Sequence, residues 1–172
     1  MEGLTIWSLD KARELFKGSA PNDRPGEKIV VRNPDHVRPW QHVLESLAGY
    51  LCLGQKLIEG KHEFAQAWNF GPNDGDNCTV KTLLSRIKEE WPSIDWQIVN
   101  YPQPHEANQL NLDSTKARQR LAWQPVWSFD KGLMATLEWY RMNIEHGSVI
   151  SLGQLNNYTA NARQAGLRWS DQ

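Results

Sequence analysis

Short runs of β-branched and aromatic residues recur along the chain and predict strands. The stretch KIVVR at Lys28–Arg32 is brief and β-branched, as is typical of a short strand. QAWNFG at Gln66–Gly71 and DWQIVNY at Asp95–Tyr101 have a similar character, and NQLNL at Asn108–Leu112 predicts a shorter extended piece. The pattern therefore predicts three strands and one shorter extended segment.

Between these runs, apolar residues three or four positions apart predict helices. A short helix is expected at about Leu9–Phe16, ending near Gly18. Three longer helices each have an apolar face, formed by Val43, Leu44, Leu47, Leu51, Gly54 and Leu57 in the first, by Val80, Leu83, Leu84 and Ile87 in the second, and by Phe129, Leu133, Leu137 and Tyr140 in the third.

Polar side chains stand where several of these helices should begin. Such residues accept a hydrogen bond from the first free backbone N–H groups of a helix. The predicted caps are Thr79 and Ser128 for two of the long helices, Asp113 or Ser114 for TKARQRLAW, and Ser151 with Gln154 as a capping box for a last helix that closes near Gly166.

The alternation of strands and helices predicts an α/β (α+β) fold with a small, few-stranded sheet and packed helices. A length of 172 residues suits one ordinary domain. We expect residues 1–27 to form an N-terminal helix and loop, and residues 28–172 to form the main lobe.

Charge and composition argue against several classes of function. With 19 basic and 20 acidic residues and no block of like charge, we expect no binding to nucleic acid or to a membrane surface. No apolar run is long enough to cross a bilayer, and the acidic start is unlike a signal peptide.

Two unpaired thiols, Cys52 and Cys78, predict a reducing, cytoplasmic setting. The histidine spacings predict no metal site, and no glycine-rich dinucleotide loop follows a strand.

A loop rich in functional side chains precedes the first long helix. Arg38 carries a planar, permanent cation that suits either a phosphate group or a surface salt bridge. Trp40 is suited to stacking on a base, although anchoring the loop to the core is the simpler interpretation. His42 stands near the helix start, where it either caps the helix or contacts a ligand.

Two further loop positions are candidates. Asn69 follows the predicted strand just before a turn, where ligand contacts are frequent but where asparagine also favours the turn itself. His105 and Glu106 are adjacent on a loop, either as solvated residues or as a hydroxyl-binding pair.

Three stretches together resemble a known family. They are VVRNPDHVRPWQHVLESLAGYLCLGQKL from Val30, FAQAWNFGPND from Phe64, and PHEANQLNLDSTKARQRLAWQPVWSFDKGLMATLEWY from Pro104. In order and spacing they look like the C-terminal part of the CDP-glucose 4,6-dehydratase family, in the extended short-chain dehydrogenase/reductase superfamily. The resemblance runs from about Lys28 to the end, and residues 1–27 match the family poorly.

The resemblance implies that the cofactor and the substrate are bound by different halves of the enzyme. In such enzymes an N-terminal Rossmann half holds NAD and the catalytic residues, and the C-terminal half binds the sugar nucleotide. Arg38 matches the family's arginine that contacts the diphosphate. Arg32 ends the strand that passes the nucleobase, and Asn69 matches a polar residue near the nucleotide.

The resemblance also implies partners and a set of contacts. We expect a CDP-sugar to contact Arg32, Arg38, Trp40, His42, Asn69, His105 and Glu106. We expect no NAD binding by this chain alone, and either a homo-oligomer or a Rossmann-domain partner. Asn108 and Gln109 stand where the family has a His-Tyr pair. The resemblance thus implies that residues 28–172 are a sugar-nucleotide-binding lobe that binds CDP-glucose or a related CDP-hexose without redox catalysis alone. The alternative functions are the substrate-binding part of a split dehydratase and a non-catalytic interaction domain.

Overall fold

A computed structural model describes residues 28–99 and 107–170 of the chain. The helix predicted near Leu9–Phe16 therefore lies outside the described residues. In chain order the described elements are β1 (Ile29–Val31), β2 (Val37–Arg38), α1 (Val43–Ile58), β3 (Cys78–Thr79), α2 (Val80–Glu90), β4 (Trp96–Ile98), α3 (Thr115–Leu121), α4 (Phe129–His146) and α5 (Ser151–Gln164), with short 3-10 turns at His62–Phe64, Asp74–Asp76 and Arg168–Ser170.

The strands among the described residues form two small sheets of two strands each. β1 pairs with β4 in parallel, from Ile29 opposite Trp96 to Val31 opposite Ile98. β2 pairs with β3 antiparallel. A single parallel bridge joins Val37 to Gln109, so the predicted extended piece contributes one bridge beside β2. The strands predicted from KIVVR and DWQIVNY are confirmed, as is the α/β (α+β) class with a small sheet and packed helices.

Three helix starts follow the predicted local chemistry. The hydroxyl oxygen of Thr79 accepts a hydrogen bond from Thr82 N at 3.0 Å, and Ser128 Oγ accepts one from Lys131 N at 3.4 Å. At α3, Asp113 Oδ1 accepts from Thr115 N at 2.9 Å. These side chains satisfy backbone donors that have no partner within their helices.

The predicted capping box at α5 is wrong. Ser151 Oγ instead accepts from Trp139 Nε1 at 2.8 Å, and Gln154 Nε2 donates to Ala135 O at 2.6 Å. Both side chains therefore tie α5 to α4, because tertiary partners outcompete the local ones. Gly166, with φ of 70°, stands just after the helix end, in the left-handed conformation that favours glycine.

The strand predicted at Gln66–Gly71 is also wrong. The segment has no ladder, and side chains bind its backbone instead. Gln41 Nε2 donates to Phe70 O at 2.8 Å, Lys116 Nζ donates to Ala67 O at 2.7 Å, and Gly71 N donates to Ser114 Oγ at 2.7 Å. The segment is held against the protein without a neighbouring strand.

Three apolar clusters form the core of the part that the structure describes. The first lies between β1, α2 and α4, and it buries the predicted face of α2 through Leu84 and Ile87. The second surrounds Trp123, and the third surrounds Trp127 and Tyr158. Cys52 is buried in the second cluster, where its thiol packs as a small apolar side chain. No helix among the described residues is both long and apolar enough to cross a membrane.

Helix α1 is confirmed, but much of its predicted apolar face is exposed. Val43, Leu47 and Leu51 are 63, 45 and 75 % exposed. The side packed on the core is instead formed by Glu45, Ala48, Gly49 and Cys52. Small residues and one hydrogen-bonded carboxylate therefore occupy the buried side of this helix.

Candidate functional site

The candidate site is built around residues 32–42, the loop that leads from β1 to α1. Arg38 is half-buried in β2, and its guanidinium is oriented by neighbouring groups. Nη1 donates to Val37 O at 2.8 Å and to Ala107 O at 3.1 Å, while Nη2 lies 3.2 Å from His36 Nδ1. The planar cation is thus fixed in orientation at the loop rather than extended on a flexible stem.

A second segment runs beside this arginine. Val37 N donates to Asn108 O at 2.9 Å, and Leu110 N donates to Val37 O at 3.2 Å. The structure therefore places Asn108 and Gln109, where the sequence departs from the resembled family, directly next to β2. The predicted pair His105 and Glu106 lies outside the described residues.

Trp40 anchors the loop. Its indole Nε1 donates to Cys78 O in β3 at 3.1 Å, and its side chain is half-buried. This hydrogen bond fixes the loop to the β2–β3 sheet, which is the simpler of the two roles considered from the sequence. Stacking of Trp40 on a base stays a prediction.

His42 lies inside the protein rather than at the loop surface. It is 8 % exposed, and its Nδ1 accepts a hydrogen bond from Leu44 N at 3.3 Å as the N-cap of α1. Its ring meets that of Trp127 edge-on, with centroids 4.9 Å apart. Burial lowers the pKa of His42 from 6.5 to about 4, so the imidazole is neutral at neutral pH. Its observed contacts are those of a cap and of core packing.

Asn69 and Arg32 occupy exposed positions. Asn69 Nδ2 donates to Asp113 O at 3.3 Å, which connects the segment before the turn to the start of α3. Arg32 follows β1 directly and is exposed. Both side chains are accessible to a ligand.

Gln41 was missed by the sequence analysis, although it connects the two parts of the candidate site. Its Nε2 donates to Phe70 O at 2.8 Å and to Ser46 Oγ at 2.7 Å. The amide thereby joins the Arg38 loop to the segment that carries Asn69. No periodicity or cap rule would have indicated this role, because its acceptor is 29 positions away in the chain.

Glu45 was also missed, and it is the most buried carboxylate in the described core. Its carboxylate accepts hydrogen bonds from Val126 N at 2.9 Å, Trp127 N at 2.8 Å and the Tyr158 hydroxyl at 2.8 Å. Burial raises the pKa of Glu45 above its usual value, although these three donors favour the charged form. Glu45 stands three residues after the His42 cap, so local rules would assign it to a capping box, whereas the tertiary structure uses it to join α1, α5 and the segment before α4.

Two surface clefts of the described structure lie away from this loop. One surface cleft of about 460 Å³ lies beside Ser85, Lys88 and Trp96, and another of about 380 Å³ lies between α4 and α5 near Met134 and Gln154. Neither cleft includes Arg38 or Asn69. Among the residues that the structure describes, no group of three or more His, Cys, Asp or Glu side chains could hold a metal ion.

Comparison with known proteins confirms the resemblance seen in the sequence. The chain is 37 % identical over 136 residues to CDP-glucose 4,6-dehydratase of Salmonella typhimurium, a match that covers 78 % of this chain and 37 % of that protein. It is 26 % identical over 110 residues to dTDP-glucose 4,6-dehydratase of Streptomyces antibioticus, covering 63 % of this chain and 30 % of the relative. It is also 27 % identical over 125 residues to the Streptomyces niveus dTDP-glucose 4,6-dehydratase, a match that covers 71 % of this chain and 35 % of that protein. No protein-family model matches.

These matches share one property, which is that each covers only part of the relative. The chain spans about a third of the length of the curated relatives it matches. The similarity is stronger to the CDP-glucose enzyme than to the dTDP-glucose enzymes, at 37 % against 26 and 27 % identity. The chain is therefore a relative of part of CDP-glucose 4,6-dehydratase, within the extended short-chain dehydrogenase/reductase superfamily.

Proposed function

We propose that this chain is the sugar-nucleotide-binding lobe of a CDP-glucose 4,6-dehydratase-like protein. It binds CDP-glucose or a related CDP-hexose and carries out no redox step by itself. The observation that carries the proposal is the 37 % identity over 136 residues to the Salmonella typhimurium enzyme, whose name gives its substrate as CDP-glucose.

Arg38 is the proposed diphosphate contact. Two backbone carbonyl oxygens and the His36 imidazole orient its guanidinium. A planar, pre-oriented cation suits phosphate oxygens, because parallel N–H groups can bind two of them together. Orientation before binding also reduces the conformational entropy lost when the ligand arrives.

The other predicted residues divide into two groups. Arg32 and Asn69 are exposed and are proposed to contact the nucleotide, and His105 and Glu106 are proposed to contact sugar hydroxyl groups. Trp40 and His42 are proposed to act as positioning residues, because their ring nitrogens already bind Cys78 O and Leu44 N.

A second candidate function is the substrate-binding part of a split dehydratase, active only with a Rossmann-domain partner. The chain covers 37 % of the Salmonella typhimurium enzyme. A non-catalytic interaction domain is the third possibility, and loss of CDP-sugar binding would favour it.

The test is calorimetric titration with CDP-glucose, with dTDP-glucose as the comparison ligand. We expect Arg38→Ala to weaken CDP-glucose binding by about ten- to a hundred-fold, because a charge-assisted hydrogen bond contributes roughly 1.5–3 kcal/mol. Arg38→Lys should recover only part of this loss, since a point charge does not reproduce the planar group. Arg86→Ala, at an exposed position of α2, is the matched control and should leave binding unchanged.

Melting curves of the same variants separate a ligand contact from a structural clamp. If Arg38 only holds the loop, Arg38→Ala should lower the melting temperature and leave the affinity of the folded protein unchanged. Undetectable CDP-glucose binding by the unmutated chain would overturn the proposal and favour an interaction domain.

A further inference from the structure

Helix α3 holds the segment of the chain that carries Asn69. We name Gln66–Asn73 the Asn69 segment, and no strand pairs with it among the residues that the structure describes. Four polar side chains at the start of α3 and along it contact this segment, namely Ser114, Lys116, Arg118 and Arg120. The Asn69 segment is therefore attached to one helix along its length, where a sheet would have used backbone pairing.

Lys116 fixes the chain just before Asn69. Its Nζ donates a hydrogen bond to Ala67 O at 2.7 Å and another to Gln66 Oε1 at 2.6 Å. The same atom lies 4.3 Å from the centroid of the Trp68 ring. An ammonium group has three donors and is attracted to the face of an aromatic ring, so one cation can serve all of these partners. Lys116 thus contacts each of the three residues that precede Asn69.

Ser114 fixes the chain just after Asn69. Its Oγ accepts a hydrogen bond from Gly71 N at 2.7 Å, and the residue is only 4 % exposed. Ser114 is the N-cap residue of α3, yet its side chain makes no capping hydrogen bond, and Asp113 Oδ1 binds Thr115 N in its place. The hydroxyl group of a serine at this position would ordinarily cap its own helix. Here it serves the Asn69 segment, and a second residue has taken over the cap.

Asn69 lies between these two attachments, and its carboxamide group has a defined orientation. Nδ2 donates to Asp113 O at 3.3 Å, next to the Ser114 attachment. Because a backbone carbonyl oxygen can only accept, the nitrogen of the carboxamide group must face Asp113. The oxygen Oδ1 therefore belongs to the other branch of an exposed side chain, where it can accept a hydrogen bond from a hydroxyl or amino group of a ligand.

We propose that Lys116 and Ser114 are positioning residues of the sugar-nucleotide site. By holding Ala67 and Gly71, each two positions from Asn69, they keep Asn69 against the start of α3 with Oδ1 toward the ligand. The inference rests on the proposed function, because it concerns the same site, but neither side chain needs to touch the ligand. A group that is oriented before binding loses less conformational entropy when the ligand arrives, so losing an attachment should lower the affinity.

A double-mutant cycle, followed by calorimetric titration with CDP-glucose, tests the proposal. Asn69→Ala should weaken binding by about ten-fold, and Lys116→Met should weaken it by about three- to ten-fold. Lys116→Arg should restore part of the loss, because it keeps a cation that can bind Ala67 O. In the Asn69→Ala background, Lys116→Met should change the affinity by less than about two-fold, because the side chain that Lys116 positions is then absent.

Lys131→Met is the matched control. Lys131 Nζ also donates to a carboxamide oxygen, Asn161 Oδ1, at 2.6 Å, and it lies 5.8 Å from the centroid of the Trp127 ring. The substitution therefore removes the same kinds of contact from α4, and none of these partners belongs to the Asn69 segment. The affinity of Lys131→Met for CDP-glucose should equal that of the unmutated chain.

A measurement without nucleotide examines the Ser114 attachment separately. Ser114→Ala removes the acceptor of the Gly71 amide, so hydrogen exchange of that amide should become at least about ten-fold faster through local opening. Exchange of the Trp127 amide, which donates to Glu45 Oε1 at 2.8 Å, should stay the same if the rest of the protein remains folded.

Three results would overturn the inference. The first is an equal loss of affinity from Lys116→Met in the two backgrounds, as a purely structural role would give. The second is an Asn69→Ala variant that binds CDP-glucose as tightly as the unmutated chain. The third is exchange of the Gly71 amide that Ser114→Ala does not change. Each of the first two requires that the unmutated chain binds CDP-glucose, whereas absence of that binding would overturn the proposed function itself.

Discussion

At the scale of single residues, two buried titratable groups at the start of α1 organise the described structure. Glu45 accepts hydrogen bonds from two backbone N–H groups and from the Tyr158 hydroxyl, and it is fully buried. His42 caps the same helix from a buried position. Both therefore hold α1 in place beneath the Arg38 loop, and neither is free to titrate as it would in water.

Replacing Glu45 by glutamine should be strongly destabilising. All three of its partners are donors, so an amide NH₂ in place of either oxygen would face another donor. We expect Glu45→Gln to lower the free energy of unfolding by about 2–3 kcal/mol, as measured by urea denaturation. Glu138→Gln, at an exposed position of α4, is the control and should change stability by less than about 0.5 kcal/mol. An equal effect of the two substitutions would contradict the role assigned to Glu45.

The depressed pKa of His42 predicts a loss of stability in acid. An unfolded histidine gains a proton below its usual pKa of 6.5, whereas the folded imidazole stays neutral until about pH 4. The contribution of the neutral His42 to the free energy of unfolding is therefore fully present above pH 6.5. It is lost as the pH falls toward 4, and the loss amounts to up to about 3 kcal/mol. The raised pKa of Glu45 acts in the opposite direction, because the folded state then binds its proton more readily than the unfolded state.

Comparison of two histidine variants separates the contribution of His42 to the pH dependence of stability from that of the other groups. His42→Asn keeps an N-cap that does not titrate. Its free energy of unfolding, measured by denaturation between pH 7 and pH 4, should fall less steeply with acid than that of the unmutated chain. His62→Asn replaces an exposed histidine and should retain the original slope. If the free energy of unfolding of His42→Asn fell with acid as steeply as that of the unmutated chain, His42 would not be the group responsible for the loss of stability.

At the scale of elements, α1 illustrates how one helix meets two different environments. Its buried side approaches Phe70 through Gly49, and its outer side exposes Val43, Leu47 and Leu51. The helix period is visible in the sequence, but hydrophobicity alone indicates the wrong side as buried. The small size of Ala48 and Gly49 and the hydrogen bonds of Glu45 decide the orientation.

Two glycines on α1 should respond oppositely to alanine. At Gly49 the new Cβ would lie 2.3 Å from the Phe70 ring, so Gly49→Ala should destabilise the protein by about 1–3 kcal/mol through overpacking. At Gly54 nothing lies within 4 Å, so Gly54→Ala should stabilise by up to about 1 kcal/mol through helix propensity. Thermal denaturation of both variants tests the pair, and stabilisation by both would show that Phe70 moves aside easily.

At the scale of the whole molecule, the connection from β1 to α1 bears on the binding of a dinucleotide. The loop from β1 to α1 contains no glycine between Arg32 and His42. A dinucleotide site needs glycines at such a turn, because the pyrophosphate must approach the backbone and a helix N-terminus closely. The lobe instead offers an oriented arginine at this loop.

The chain alone should therefore show no useful affinity for NAD. Calorimetric titration of the unmutated chain with NAD, beside a titration with CDP-glucose, measures this directly. A dissociation constant for NAD in the low micromolar range would contradict the expectation and would restore an enzymatic function for the isolated chain.

The sequence by itself determined the local chemistry. Thr79 and Ser128 cap their helices as predicted, because an N-cap needs only a hydroxyl and a backbone N–H three residues away. The β-branched run KIVVR and the apolar spacing of α2 likewise predicted the elements that form. The motif around Arg38 indicated the family, which the comparison confirmed.

Tertiary structure decided the features that depend on distant partners. Ser151 and Gln154 bind α4 instead of their own helix, and Gln66–Gly71 is held by side chains instead of a strand. Glu45 lies in the core because its donors come from positions 81, 82 and 113 residues farther along the chain. Local propensity contributes a fraction of a kcal/mol per residue, whereas a buried polar group without a partner costs roughly 1–3 kcal/mol, so long-range contacts prevail wherever the two conflict.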